Sequence, residues 1–390
     1  MAGSRTQEAL RRSARRASGL LRRAPRSDHA APEADVQTSE PRVPRPETTR
    51  PTLSDPDKQA DLERYGFAVV DALDEAQLEL ARQLYAELGP APDDPKVALN
   101  WSFHSRSAAY KREVKAKMLA AFGDVVDEML VDHEVYLTTF ITKWPGPNSG
   151  FAPHQDPSLV DERHYRGVTV WIPLGDTGPV DGIDNGMLRF VPGSHRFSDA
   201  LRVTDVDRSQ VAGHEEAVLR HGVGMPSTAG QALVFDNRVI HYSMPNESDE
   251  PRVVLSFGVR PREGACTLMR ADDEGTVRIY EIDDDFYIDV LPAENHLYEP
   301  AAPPIATIEQ GDIGWSAEEF ERLCSQAPVP PGAIRSEDVA TAWRDPGVFC
   351  ALCGSSEGLG DADRSVRNNA QLVCASCEQH LRDRDAAEVG

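Results

Sequence analysis

The chain has 390 residues, is 40% hydrophobic and carries a formal net charge of −23. That is enough for one large domain or two smaller ones with a real core. No stretch reaches the ~18 apolar residues of a membrane span, and the Arg-rich start lacks the apolar core of a signal peptide, so a soluble, cytoplasmic protein is expected.

Residues 1–26 hold eight Arg against a single acid, Glu8, so the rest of the chain is more acidic than the total suggests. A body of that charge repels nucleic acid, and no nucleic-acid partner is expected. Residues 1–55 are rich in Arg, Ala, Pro, Ser and Thr and bury too little apolar surface to offset ordering entropy, which predicts a disordered basic tail. Within residues 8–26, Leu10, Ala14, Ala17 and Leu21 repeat at helical spacing among Arg pairs. That pattern suits an anionic membrane surface; a solvated tail is the simpler reading.

Globular patterning begins near residue 56. Helical periodicity covers 57–64 and 74–88, the second with an apolar stripe of Leu78, Leu80, Ala81, Leu84 and Tyr85, and Tyr65–Val70 between them reads as a strand. A further helix is predicted over 107–131, punctuated by Gly123. Strands then dominate: Val135–Trp144, Val168–Leu174, Met187–Val191, Gln231–Phe235, Arg252–Val259 and Val277–Ile282 are β-branched or aromatic runs bounded by turn residues. The fold class expected is mainly β with flanking helices, built on a double-stranded β-helix (jelly roll) over residues 56–298. Residues 299–345 read as a linker with short helices near 316–326 and 336–343, followed by a cysteine-bearing module at 346–382.

The chemistry concentrates in four residues. His154, Asp156 and the distant His241 have the ligand types and order of a two-histidine, one-carboxylate face for non-haem Fe(II). Residues i and i+2 of a strand share a face, so His154 and Asp156 point inward while Gln155 points away. Arg252 is a planar, permanently charged fork suited to gripping a carboxylate. His154 alone among the eleven histidines has Asp at +2; His214 offers a weaker His-x-Glu with Glu216 in an acid-rich stretch.

Lys143-Trp-Pro-Gly146, His154-Gln-Asp156, Val168–Leu174, Asn185–His195 and His241–Arg252 together resemble the phytanoyl-CoA dioxygenase family of Fe(II)/2-oxoglutarate oxygenases, over about residues 60–290. The resemblance implies that His154, Asp156 and His241 bind iron and that Arg252 salt-bridges the far carboxylate of 2-oxoglutarate. It further implies that Ser243, Trp171 and Thr139 contact that co-substrate. The reaction implied uses O₂, decarboxylates the keto acid to succinate and CO₂, and hydroxylates an aliphatic carbon of a small organic or acyl substrate. Related halogenases lack the carboxylate ligand, so Asp156 favours hydroxylation. Arg189 and His195 read as structural. Lys143, Arg163 and Arg166 read as solvated charges balancing Asp161 and Glu162, or else as contacts for an anionic substrate. The rival readings are a cupin-like metalloenzyme with no use for Arg252 and a non-catalytic zinc-ribbon adaptor.

Cys350-x-x-Cys353 and Cys374-x-x-Cys377 have the spacing of a closed four-thiolate site, which predicts a structural zinc ribbon, with iron as the rival metal and protein contact as the role. Cys266 and Cys324 read as lone structural thiols.

Overall fold

A computed structural model describes residues 50–335 apart from 92–97, 181, 204–209, 273–274, 291–297, 299 and 311–313, together with 367–368 and 371–372. Residues 1–49 of the basic tail, the helix predicted at 336–343 and all four cysteines of the C-terminal motif lie outside the described residues; residues 50–55, expected as the end of that tail, are instead packed on the fold, with Thr52 and Leu53 buried.

The first helix, α1 (Pro56–Tyr65), starts where Asp55 accepts from the Asp57 and Lys58 amides with proline next in sequence, and stops at Gly66, whose φ of 86° is left-handed. Strand β1 (Phe67–Asp71) follows, then α2 (Glu75–Leu88), opened by a reciprocal Asp74–Gln77 capping box. After β2 (Leu99–Trp101) and a 3₁₀ turn at Ser102–His104 comes α3 (Ala108–Met129), which runs unbroken through Gly123.

Next come β3 (His133–Lys143), β4 (Phe151–His154), β5 (Val168–Pro173), a small hairpin of β6 (Pro179–Val180) and β7 (Ile183–Asp184), and β8 (Leu188–Phe190). Helix α4 (Glu215–His221) precedes β9 (Val223–Gly224), β10 (Gln231–Asp236), β11 (His241–Ser243) and β12 (Arg252–Pro261). The chain ends its described part with β13 (Cys266–Ala271), β14 (Thr276–Ile282), α5 (Phe286–Asp289), β15 (Ala306–Glu309), α6 (Ala317–Ser325), β16 (Ile334–Arg335) and the hairpin β17 (Arg367–Asn368) and β18 (Gln371–Leu372).

Two sheets organise these strands. A six-stranded sheet has the order β1-β10-β5-β12-β3-β2, and a five-stranded sheet the order β16-β9-β8-β11-β4. From β3 to β12 the main strands alternate one by one between the sheets, apart from β8 and β9, which follow each other in the smaller one; this is the connectivity of a jelly roll. The odd and even residues of the larger sheet therefore face different partners. Val168, Val170, Ile172, Val234, Leu255 and Phe257 pack under α2 and α3. Trp171, Leu233, Phe235 and Val254 point the other way, onto Leu188 and Phe190 of the smaller sheet. The outer face of the smaller sheet is closed by α4 and α6, through Ile240, Tyr242, Val218 and Phe320.

Residues expected as a linker are thus structured where described. β15 joins β13 and β14 in a three-stranded sheet, and β16 extends the smaller sheet by pairing with β9. The helix expected near 316–326 is α6; it is capped by Ser316 and buries Phe320 and Cys324.

Candidate metal centre

The three candidate ligands meet between the two sheets. His241 on β11 lies directly opposite His154 at the end of β4, with ring centroids 4.2 Å apart. Asp156 follows just beyond the end of β4, in irregular backbone rather than in the strand itself. Its Oδ1 is 3.6 Å from His154 Nε2 and 3.7 Å from His241 Nε2. One donor atom from each residue falls within 4.8 Å of the others. Donors about 2.1 Å from a first-row ion stand at most ~4.2 Å apart, so the two nitrogen–oxygen separations fit a shared metal.

Backbone carbonyls set the imidazole tautomers. His154 Nδ1 is 2.9 Å from Ala152 O, and His241 Nδ1 is 3.0 Å from Val239 O. Each ring donates Nδ1–H to that carbonyl, which leaves Nε2 as a lone pair facing Asp156. Burial, with the neighbouring His154 adding to it, pushes His241 down to about 4, so the ring is neutral at physiological pH. Burial works to raise the Asp156 carboxyl, but His241, His154 and Arg202 outweigh it and the net shift is downward. The set is two imidazole nitrogens with one carboxylate, the donor chemistry of divalent iron.

Asp156 is held from behind. Arg202 Nε donates to the Asp156 carbonyl at 2.7 Å, while its Nη2 spans both Glu162 oxygens at 2.6 and 2.8 Å. Ser158 Oγ donates to the same Glu162 and accepts from the Arg202 amide. Thr169 reaches the other carboxylate oxygen, Oδ2, at 3.4 Å. Sequence reasoning missed Arg202, which lies in a stretch without periodicity. Thr169 and Ser256 were legible in principle, because strand parity places them on the face that carries Trp171 and Arg252.

Arg252 opens β12 on the inner face of the larger sheet, two positions from Val254 and four from Ser256. Its guanidinium lies 5.1 Å from the Trp171 ring centroid, a cation–π arrangement, and Nη1 donates to Gly186 O. Its buried Nε has no hydrogen-bond partner, and among the described residues no carboxylate forms an ion pair with it. Burial pushes it down to about 9, so it remains charged at neutral pH. Ser243 ends β11 and is buried. Thr139 on β3 and Trp171 on β5 both face Ser256 across β12.

Two charges depart from the solvated reading. Lys143 is completely buried beside Arg252, with Nζ donating to Met244 O at 2.7 Å, and Gly186 is left without a side chain where a Cβ would meet the Lys143 stem. Arg166 is buried against Asp236 at 3.3 Å. Lys143 is buried because β3 pairs it with Arg252, and Arg166, in the segment before β5, because it packs against Asp236; surface balance accounts for neither. Arg163 does pair with Asp161, at 2.6 Å, whereas Glu162 is taken by Arg202. Arg189 is structural, bound to Asp184 at 2.7 Å; His195 is buried with Nε2 3.1 Å from Glu63 O. His214 stacks on Phe320, and Glu216 pairs with Arg220, so this rival pair does not converge. Cys266 and Cys324 are free and buried.

Among known proteins, the chain is 30% identical over 146 residues to phytanoyl-CoA dioxygenase domain-containing protein 1 of Bos taurus, covering 36% of this chain and 48% of that protein. It is 25% identical over 199 residues to methylphosphonate hydroxylase of Gimesia maris, covering 47% of this chain and 71% of that one. The chain spans about half the length of the first curated relatives it matches. Similar solved structures include EvdO2 of Micromonospora carbonacea complexed with 2-oxoglutarate, at 20% identity and TM-score 0.38, covering 56% of this chain and 95% of that one. HygX of Streptomyces hygroscopicus with nickel, 2-oxoglutarate and hygromycin B bound is 14% identical at TM-score 0.39, covering 54% and 88%. The model of the phytanoyl-CoA dioxygenase (PhyH) family matches residues 62–254 of this chain, a stretch that contains His154, Asp156, His241 and Arg252.

Proposed function

We infer that this protein is an Fe(II)- and 2-oxoglutarate-dependent dioxygenase that hydroxylates an aliphatic carbon of a small substrate. The observation that carries the reading is Arg252: a buried guanidinium with an orphaned Nε, facing into the same space between the sheets that holds the His154–Asp156–His241 set. A buried cation without a carboxylate is costly, and a dicarboxylic keto acid supplies the missing partner. A metalloenzyme that uses no keto acid has no need of that charge.

When bound, iron and the keto acid together supply the oxidising chemistry, with O₂ consumed and succinate and CO₂ released. The chain's own part is to hold and orient. His154 and His241 present Nε2, Asp156 presents one carboxylate oxygen, and Arg252, backed by the Trp171 face, grips the far carboxylate of the keto acid. Ser243 offers a hydroxyl beside it. Leu188, Phe190, Leu233 and Val254 wall the space and exclude water. Because Asp156 occupies the carboxylate position, the outcome is hydroxylation rather than halogenation.

The C-terminal cysteines are assigned to a structural zinc site, and the β17–β18 hairpin, which falls between the two Cys pairs in sequence, supports a ribbon. The test of the oxygenase reading is stoichiometry: iron-loaded protein is expected to release succinate in step with O₂ uptake. O₂ uptake without succinate would instead favour the keto-acid-independent alternative.

A further inference from the structure

Four aromatic rings run in contact from the edge of the larger sheet to the first candidate ligand. Phe151 meets the His154 ring edge to face at 4.3 Å, and Trp101 meets Phe151 at 5.2 Å. Trp101 in turn contacts His104 at 5.3 Å, and Phe103 covers His104 at 4.0 Å. All four are only partly buried. Partly exposed aromatic faces in a contiguous row that ends on a metal-binding imidazole are costly to leave to water. They belong to two segments, β2 with its 3₁₀ turn and the start of β4, which otherwise lie on different sheets.

The 3₁₀ turn carrying Phe103 and His104 is pinned to β3 by hydroxyls. Ser102 Oγ lies 3.0 Å from Thr139 Oγ1 and accepts from the Phe140 amide at 2.9 Å; Thr139 Oγ1 accepts from the Phe103 amide at 3.3 Å and donates to Phe140 O at 2.9 Å. A threonine hydroxyl has one donor and two acceptor sites. With Ser102 donating to Thr139, all three are used inside the protein. Thr139 therefore has no hydrogen bond left for the keto acid.

We propose that Trp101, Phe103 and Phe151 form the primary-substrate subsite, a ledge that takes a substrate with a flat, apolar ring face, and that Thr139 is the positioning residue of this ledge rather than a co-substrate contact. The proposal rests on the His154–Asp156–His241 set being the reaction centre. Stacking on the ledge lays a ring beside His154, where a carbon at its edge stands next to the metal position.

The test uses the full-length chain loaded with Mn(II) and a neutral single-ring probe, benzyl alcohol, read by proton line broadening from the paramagnetic ion. Broadening of the ring protons is expected in the wild type. Trp101→Ala should weaken probe binding about tenfold, the scale of one lost aromatic contact plus its buried area, with Mn(II) affinity unchanged. Thr139→Val should weaken the probe while keeping 2-oxoglutarate affinity, and Thr139→Ser should restore it. Equal broadening in wild type and Trp101→Ala, or none in a chain that binds Mn(II) normally, overturns the ledge. A Thr139→Val chain that loses 2-oxoglutarate but keeps the probe overturns the positioning role. If Mn(II) itself does not bind, the reaction-centre reading fails, and saturation transfer from the metal-free chain to the probe still decides the ledge: transfer lost in Trp101→Ala supports it, and unchanged transfer rejects it.

Discussion

Arg202 steadies Asp156 through its backbone carbonyl rather than its carboxylate, which leaves the carboxylate free for a metal. The Arg202–Glu162 pair is almost wholly buried, with Nη2 bonded to both carboxylate oxygens while Nε holds the Asp156 carbonyl, so it acts as a fixed strut for the segment after β4. Outer partners of this kind typically tune metal affinity by roughly 10–100-fold. Arg202→Met should lower Mn(II) affinity by about that factor, measured by competition with a chelator; unchanged affinity would remove the strut from the account. His195 gives a pH prediction. Burial, aided by Arg238, Arg196 and Arg166 against Asp236, pushes it from 6.5 down to about 4. The unfolded chain therefore takes up a proton on His195 below 6.5 that the folded chain refuses until about 4. Its contribution to stability is present above 6.5 and is lost as pH falls through that window. Urea denaturation at pH 7 and pH 5 should show a smaller loss in His195→Gln than in the wild type, and equal losses would contradict this.

At the scale of elements, what was legible depended on strand length. β3, β5, β10 and β12 have enough alternation to be read from residue type, and strand parity on them places Trp171, Thr139 and Arg252 on one face. In the smaller sheet only β8, expected as Met187–Val191, was readable that way. β4, β9 and β11 have four, two and three residues, so they exist because a neighbouring strand pairs with them rather than through any pattern of their own. His241 was found through the residues around it, not through a recognisable strand. Asp156 was assigned to the right face for an incomplete reason, since β4 has ended before it. The C-terminal segment was under-read in the same way, because β16 is a two-residue edge of the smaller sheet and α6 takes its meaning from the surface it covers. Phe320 on α6 is fully buried against Trp315 and Phe197. Phe320→Ala should cost roughly 3–5 kcal/mol in urea denaturation and speed hydrogen exchange in β16. A loss below ~1 kcal/mol, with exchange unchanged, would show that α6 is not part of the core.

Over the whole molecule, two facing sheets create a space that neither builds alone. The smaller sheet contributes His154, His241 and Ser243; the larger contributes Arg252, Trp171 and the Thr139 that steadies the aromatic edge. Among the described residues no helix is long and apolar enough to cross a membrane. The central claim is that the metal set and Arg252 serve one co-substrate. It is tested most directly by anaerobic titration of the Fe(II)-loaded chain with 2-oxoglutarate, following the weak visible charge-transfer band, in wild type and Arg252→Ala. The wild type should develop the band saturably. The variant should keep its iron but lose keto-acid affinity by roughly 10–100-fold, the value of one or two charge-assisted hydrogen bonds. No band in the iron-loaded wild type, or the same affinity in both proteins, would contradict the account.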